Sequence, residues 1–147
     1  MNLSKLLNLS LKSDEFIELF EHYDVDVIYS YDRLHEGLED NYYGSINELG
    51  LQFSFDENQI LKTIFIYVNG NEEFEKANLS EYEISAYADK LSVINFAKEN
   101  GIECTGGEAS FLGENRAWAK LTLSNYSIHY EFREGILRLV TLQAKNA

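Results

Sequence analysis

Between Leu49 and Val68 the sequence LGLQFSFDENQILKTIFIYV keeps a two-residue apolar period on both sides of a polar break, a pattern that an antiparallel hairpin satisfies. Leu49, Leu51, Phe53 and Phe55 share one face, opposite Gly50, Gln52, Ser54 and Asp56. Asp56, Glu57, Asn58 and Gln59 supply the turn chemistry. The chain then resumes with Ile64, Ile66 and Val68 on one face and Leu61, Phe65 and Tyr67 on the other. A strand apolar on both faces is a central strand, so other strands must flank it and helices must close over its second face.

The flanking elements follow from shorter patterns. Ser13 stands as an N-cap before Asp14 and Glu15, and Phe16, Leu19, Phe20 and Tyr23 recur at helical spacing, leaving Glu15, Glu18 and Glu21 in water. Val25, Val27 and Tyr29 alternate as a short strand, whereas Tyr31 to Ser45 has no clean period and reads as an exposed loop or frayed turn. The connection NEEFEKANLSEYE shows no core pattern; Ser80 and Glu83, and more weakly Ser92 and Asn95, have capping-box spacing. A helix over Asp89 to Asn100, with Leu91, Ile94 and Ala97 inward and Val93 and Phe96 as further inward candidates, ends at Gly101. Thr105 to Arg116 reads as a long glycine-containing loop, and Trp118 to Leu123, Tyr126 to Phe132 and Ile136 to Leu142 as a meander. The expected fold is a single α+β domain over residues 1–147: a mainly antiparallel sheet of five or six strands, built from the central hairpin and the C-terminal meander, with two or three helices packed on it.

Charge narrows the partner. The 147 residues carry a net charge of -13, and from Ser13 to Ile60 thirteen acids face one base, Arg33, while from Leu61 onward twelve acids face nine bases. Such a field repels nucleic acid and anionic membrane and attracts a basic protein. An apolar fraction of 45% with ten Tyr and nine Phe argues against disorder. Cys104 is the one cysteine, so an intramolecular disulfide is excluded. The opening MNLSKLLNLSLKS lacks a small-residue cleavage site, and no apolar run reaches membrane-spanning length, so a cytoplasmic location is expected.

Catalytic patterns are weak throughout. His22, His35 and His129 lack the spacing of a metal site, and Cys104 has no neighbouring base. Gly106, Gly107 and Gly113 loosely evoke a phosphate loop, but Glu108 and Glu114 supply the wrong charge and no Lys-Ser/Thr follows. The pairs Glu39-Asp40 and Glu72-Glu73 lack EF-hand spacing, and Trp118 with the Tyr/Phe ladder reads as core. No catalytic, cofactor or metal residue is therefore expected, nor an enzyme. The composition of an interface, tyrosine beside charge, falls on Asp32, His35, Glu36, Glu39, Asp40, Tyr42 and Tyr43, with Glu15, Glu18 and Glu21 as the alternative face.

Three features then form a pattern: the GLQFSF strand with Gly50, Leu51 and Phe53, the mid-chain glycines leading to Trp118, and the closing strands carrying Ile128, His129, Tyr130, Phe132, Ile136, Val140, Thr141 and Leu142. Over residues 45–147 this resembles the small immunity proteins encoded beside polymorphic and contact-dependent toxins in bacteria. It departs from them in having no proline before the helix. The resemblance implies a toxin inhibitor that binds a cognate toxin domain. With the acidic surface it suggests a basic nuclease whose substrate cleft that surface occupies. It assigns no contact residues, because such proteins diverge where they meet their toxins. The competing expectations are a small-molecule-binding domain or enzyme of α+β fold, and an intracellular structural adaptor. The oligomeric state is left open.

Overall fold

A computed structural model of the chain describes residues 1–30 and 40–145. A 3₁₀ turn at Leu3–Leu6 leads into helix α1 (Asp14–His22), then strands β1 (Val27–Ser30), β2 (Asn41–Ile46), β3 (Leu51–Phe55) and β4 (Leu61–Tyr67). Helix α2 (Lys90–Asn100) is followed by β5 (Glu103–Phe111), β6 (Glu114–Thr122), β7 (Tyr126–Arg133) and β8 (Ile136–Ala144). All eight strands form one antiparallel sheet in the order β1-β2-β3-β4-β8-β7-β6-β5. It consists of two four-stranded meanders joined where β4 pairs with β8, and α2 lies in the crossover between them. The sheet is thus wider than the five or six strands expected from sequence.

The extra strands come from segments read as loops. Residues 41–46 form β2, and the glycine-rich stretch after Gly101 forms the β5–β6 hairpin. β2 hides its period because Gly44 occupies a core position: a Cβ there would stand 2.7 Å from the Phe20 ring, so the helix supplies the bulk the strand lacks. β5 hides because Gly106 and Gly107 have no side chains to alternate. A Cβ on Gly107 would meet the Trp118 indole nitrogen at 2.8 Å.

Both helices pack on one face. Phe16 and Phe20 of α1 interleave edge-on or tilted with Phe53 and Phe55, with Phe16 and Phe55 centroids 5.0 Å apart, and Leu3 and Leu6 extend the same buried layer. Ser13 does precede α1, but its hydroxyl caps no N–H. The helix ends instead through left-handed Asp24 and a Val25 N–H donated to the Phe20 carbonyl. On α2 the cap is Asp89, whose carboxylate accepts from the Ser92 N–H at 2.8 Å, and the buried positions are Val93 and Ala97. Leu91, expected inward, is 62% exposed.

The other face is open and mostly polar. Leu61, Ile64 and Ile66 are fully buried on the core side, a bulge at Ser54/Phe55 having brought Leu61 onto the same face as Ile64. Phe65 and Tyr67 are only half-buried on the reverse. β4 is therefore central, but helices cover one of its faces rather than two. The connection after β4, expected to lack a core pattern, buries Phe74 flat against Tyr67 at 4.2 Å and Ala77, Leu79 and Tyr82 in the main core. Among the described residues no helix is long and apolar enough to cross a membrane.

Candidate acidic interface

Of the expected contact residues, Asp32, His35, Glu36 and Glu39 lie outside the described residues. Asp40, Tyr42 and Tyr43 lie at or within the start of β2, not in a loop. Alternation sends Tyr42 to the face shared with Gly44 and Ile46, where it packs against the core, and Tyr43 to the open face, in register with Ser54. The two tyrosines therefore point to opposite faces of the sheet. Asp40 accepts the Tyr29 hydroxyl proton at 2.6 Å, and the Tyr29 ring tilts against Tyr42 at 4.8 Å.

That pair connects the two faces that sequence kept as alternatives. α1 lies over the β1–β2 end of the sheet, since Phe20 fills the space above Gly44 and touches Val25. Glu15, Glu18 and Glu21 are exposed along α1, and Asp24 and Asp26 follow in the turn into β1. An open groove of about 370 Å³ runs between helix and strand, lined by Phe16, Ile17, Phe20 and Val27 and edged by Glu21 and Asp24. β1 is the first strand of the sheet, and Val27, Ile28 and Tyr29 are all exposed on it. Val27 and Tyr29 face the helix side and Ile28 the open side, so carboxylates border an edge strand that is apolar and uncovered on both faces, a composition that suits a protein-binding edge.

The remaining candidates separate. His22 stands edge-on to Tyr23 in the last turn of α1, while His129 lies on the open face of β7, stacked on Trp118. Trp118, read as core, is 36% exposed, because the core side of β6 is taken by Ala119 and Leu121. Cys104 is half-buried, and burial pushes its thiol above the ordinary value. Among the described residues no three His, Cys, Asp or Glu side chains converge as a metal site.

One cavity went unforeseen. About 300 Å³ opens between the N-terminal 3₁₀ turn, the segment 82–87 and the core side of β6–β8, lined by Tyr82, Tyr87, Tyr126 and Tyr130 with Phe96 and Leu121. Tyr130 donates to the Ser85 carbonyl at 3.3 Å, and burial, aided by Glu81 and Tyr23, pushes Tyr82 up to about 12. Burial likewise raises Tyr130, so both phenols are neutral at physiological pH. Tyr82 ends a 3₁₀ turn, Tyr87 lies in the segment after it, and Tyr126 and Tyr130 stand on β7, so no single local spacing signals the site.

No protein-family model matches the chain, and no curated protein or solved structure is significantly similar to it.

Proposed function

We propose that the chain is an inhibitory binding protein, of the kind found as immunity proteins beside bacterial toxins, which captures a basic toxin domain on the α1–β1 end of its sheet. A nuclease is the partner such a surface suits, because a cleft built for phosphates carries the complementary charge. The observation that carries this reading is the exposed edge strand, with Val27 and Tyr29 on the helix side and Ile28 on the open side, set among Asp24, Asp26, Asp40 and the α1 acids. The carboxylates accelerate encounter and the apolar edge holds the complex.

This reading expects a toxin domain encoded beside the gene, and the test measures that domain against the purified chain by surface plasmon resonance at low and high salt. Exposed charges are screened beyond ~8 Å at physiological ionic strength, so the on-rate should fall as salt rises. Replacing Asp24, Asp26 and Asp40 with Asn should slow association, and Ile28→Ser should speed dissociation. A salt-independent on-rate with unchanged affinity in both variants would overturn the assignment.

A second reading, a small-molecule-binding domain, is favoured by the four-tyrosine cavity, whose volume is at the lower end of ligand sites. A thermal-shift screen of neutral aromatic compounds distinguishes it. Stabilisation lost in Tyr130→Phe and Tyr87→Phe would support this reading; no stabilisation by any compound would remove it.

A further inference from the structure

Toward the opposite end of the sheet from the acidic edge, the open face sets arginines side by side among its acids. Arg116 on β6 and Arg133 on β7 lie directly opposite one another in register. Arg138 stands in the β8 bulge between the residues paired with Glu131 and Phe132. These are three of the four arginines in a chain of net charge -13. Like charges directly opposed across strands destabilise a sheet, so folding alone gives no reason to gather them.

Their local partners are few. The Arg116 guanidinium reaches Glu114 only at 3.8 Å and otherwise lies over the Phe111 ring, 5.6 Å from its centroid. Glu134 accepts the Asn115 N–H at 2.6 Å, so a backbone donor already engages that carboxylate. Glu131 is on the same face, in register with Trp118. Among the described residues the Nε atoms of Arg116, Arg133 and Arg138 are all shielded from solvent with no hydrogen-bond partner. Beside them Phe111, Trp118 and Ile136 are exposed, and Leu112, in the β5–β6 turn, is 91% exposed.

We propose that this end of the open face binds a carboxylate-bearing, partly apolar segment of a protein partner. Arg116 and Arg133 take its carboxylates by forked hydrogen bonds, and Phe111, Trp118 and Ile136 cover its apolar side chains. A protein segment fits better than a nucleic acid. Twenty-five acids repel a polyanion at long range, whereas a short segment with one or two carboxylates meets the paired guanidinium donors. The surface is independent of the proposed toxin site, since β1 and the β5–β6 hairpin lie at opposite edges of the sheet.

Trp118 is the only tryptophan, so occupancy is readable in its fluorescence. A random short-peptide library would be panned on the immobilised full chain and on Arg116→Gln/Arg133→Gln, whose folding is checked by circular dichroism. Enriched peptides would then be titrated while Trp118 emission is followed. The expected result is a class of peptides with Asp or Glu beside Leu, Ile or Phe that shifts Trp118 emission and binds the double variant at least about tenfold more weakly. Arg116→Lys/Arg133→Lys, which keeps the charge but loses the fork, should bind them with intermediate affinity. The proposal is overturned if only basic peptides are enriched, or if the double variant binds the acidic class as well as the parent. Tighter binding of a single-stranded oligonucleotide overturns it too, as does self-association lost in the double variant, which would make the occupant a second copy.

Discussion

The indole of Trp118 lies over the imidazole of His129, ring centroids 5.4 Å apart and planes 16° from parallel, as diagonal neighbours on β6 and β7. Stacking and the surrounding side chains bury the imidazole. That burial disfavours its protonated form; Glu131 opposes the effect and Lys120 adds to it, and the net shift is below the ordinary 6.5. The unfolded chain therefore takes up a proton first as pH falls. Stability contributed by neutral His129 is fully present above 6.5 and declines below it toward the lower folded value. Melting temperatures from about pH 7.5 to about pH 5 should fall less steeply in His129→Gln than in the parent. Parallel slopes would show that the ring is not held neutral.

The two faces of the sheet predict different costs for removing an aromatic ring. Phe53 is fully buried against Phe16 and Phe20, so Phe53→Ala should cost about 3–5 kcal/mol in urea unfolding. Trp118 loses only a stacking partner and one face of burial, so Trp118→Ala should cost about 0.5–1.5 kcal/mol. Equal losses would mean that the open face is covered as tightly as the core.

That contrast also marks where the sequence was legible. Leu51, Phe53 and Phe55 announced β3 and its inward face because each inward position carries a large apolar residue. On β6 the same logic misled. The inward positions are Ala117, Ala119 and Leu121, and the largest side chain, Trp118, faces out. α2 runs close over β5 and β6, with the Lys90 side chain 3.8 Å from a Cβ built on Gly106, so small residues are what fit beneath it. Periodicity reports size and polarity, not which element lies above a strand. The acidic surface was legible as charge, but its location was not. Only the packing of Phe20 on Gly44 places the α1 acids beside β1, and the tyrosine cavity depends on contacts across the whole fold.

Gly44 offers a direct check on that packing. A Cβ at this position would stand 2.7 and 2.8 Å from two atoms of the Phe20 ring, so the ring must move out of the Phe16–Phe53–Phe55 cluster. Gly44→Ala should lose about 1–3 kcal/mol by urea unfolding. Combining it with Phe20→Leu should cost less than the sum of the single losses, because the smaller side chain makes room.

Cys104 is half-buried on β5, and its thiol lies above the ordinary 9.0 through burial, partly offset by a backbone hydrogen bond with Lys120. At neutral pH the nucleophilic thiolate is scarce. Iodoacetamide should modify the folded chain more slowly than the urea-unfolded chain at the same pH, and Cys104→Ser should keep the parent's melting temperature within a few degrees. Rapid labelling of the folded chain would show an activated thiol.

The acids of α1 should separate folding from binding. Glu15, Glu18 and Glu21 follow one another at three-residue spacing, where like charges on a helix repel by about 0.2–0.5 kcal/mol per pair. Glu15 recovers some of that at the positive end of the helix dipole, but Glu21 sits in the last turn, at the negative end. Glu18→Gln and Glu21→Gln should therefore each raise stability by a few tenths of a kcal/mol at low salt, with the gain shrinking as salt screens the repulsion. If the α1–β1 surface captures a basic toxin domain, the same substitutions should slow association, so stability and on-rate move in opposite directions. Urea unfolding and surface plasmon resonance on the same preparations measure both. Substitutions that stabilise the fold yet leave the on-rate unchanged would exclude α1 from the binding surface and confine it to β1 and Asp40.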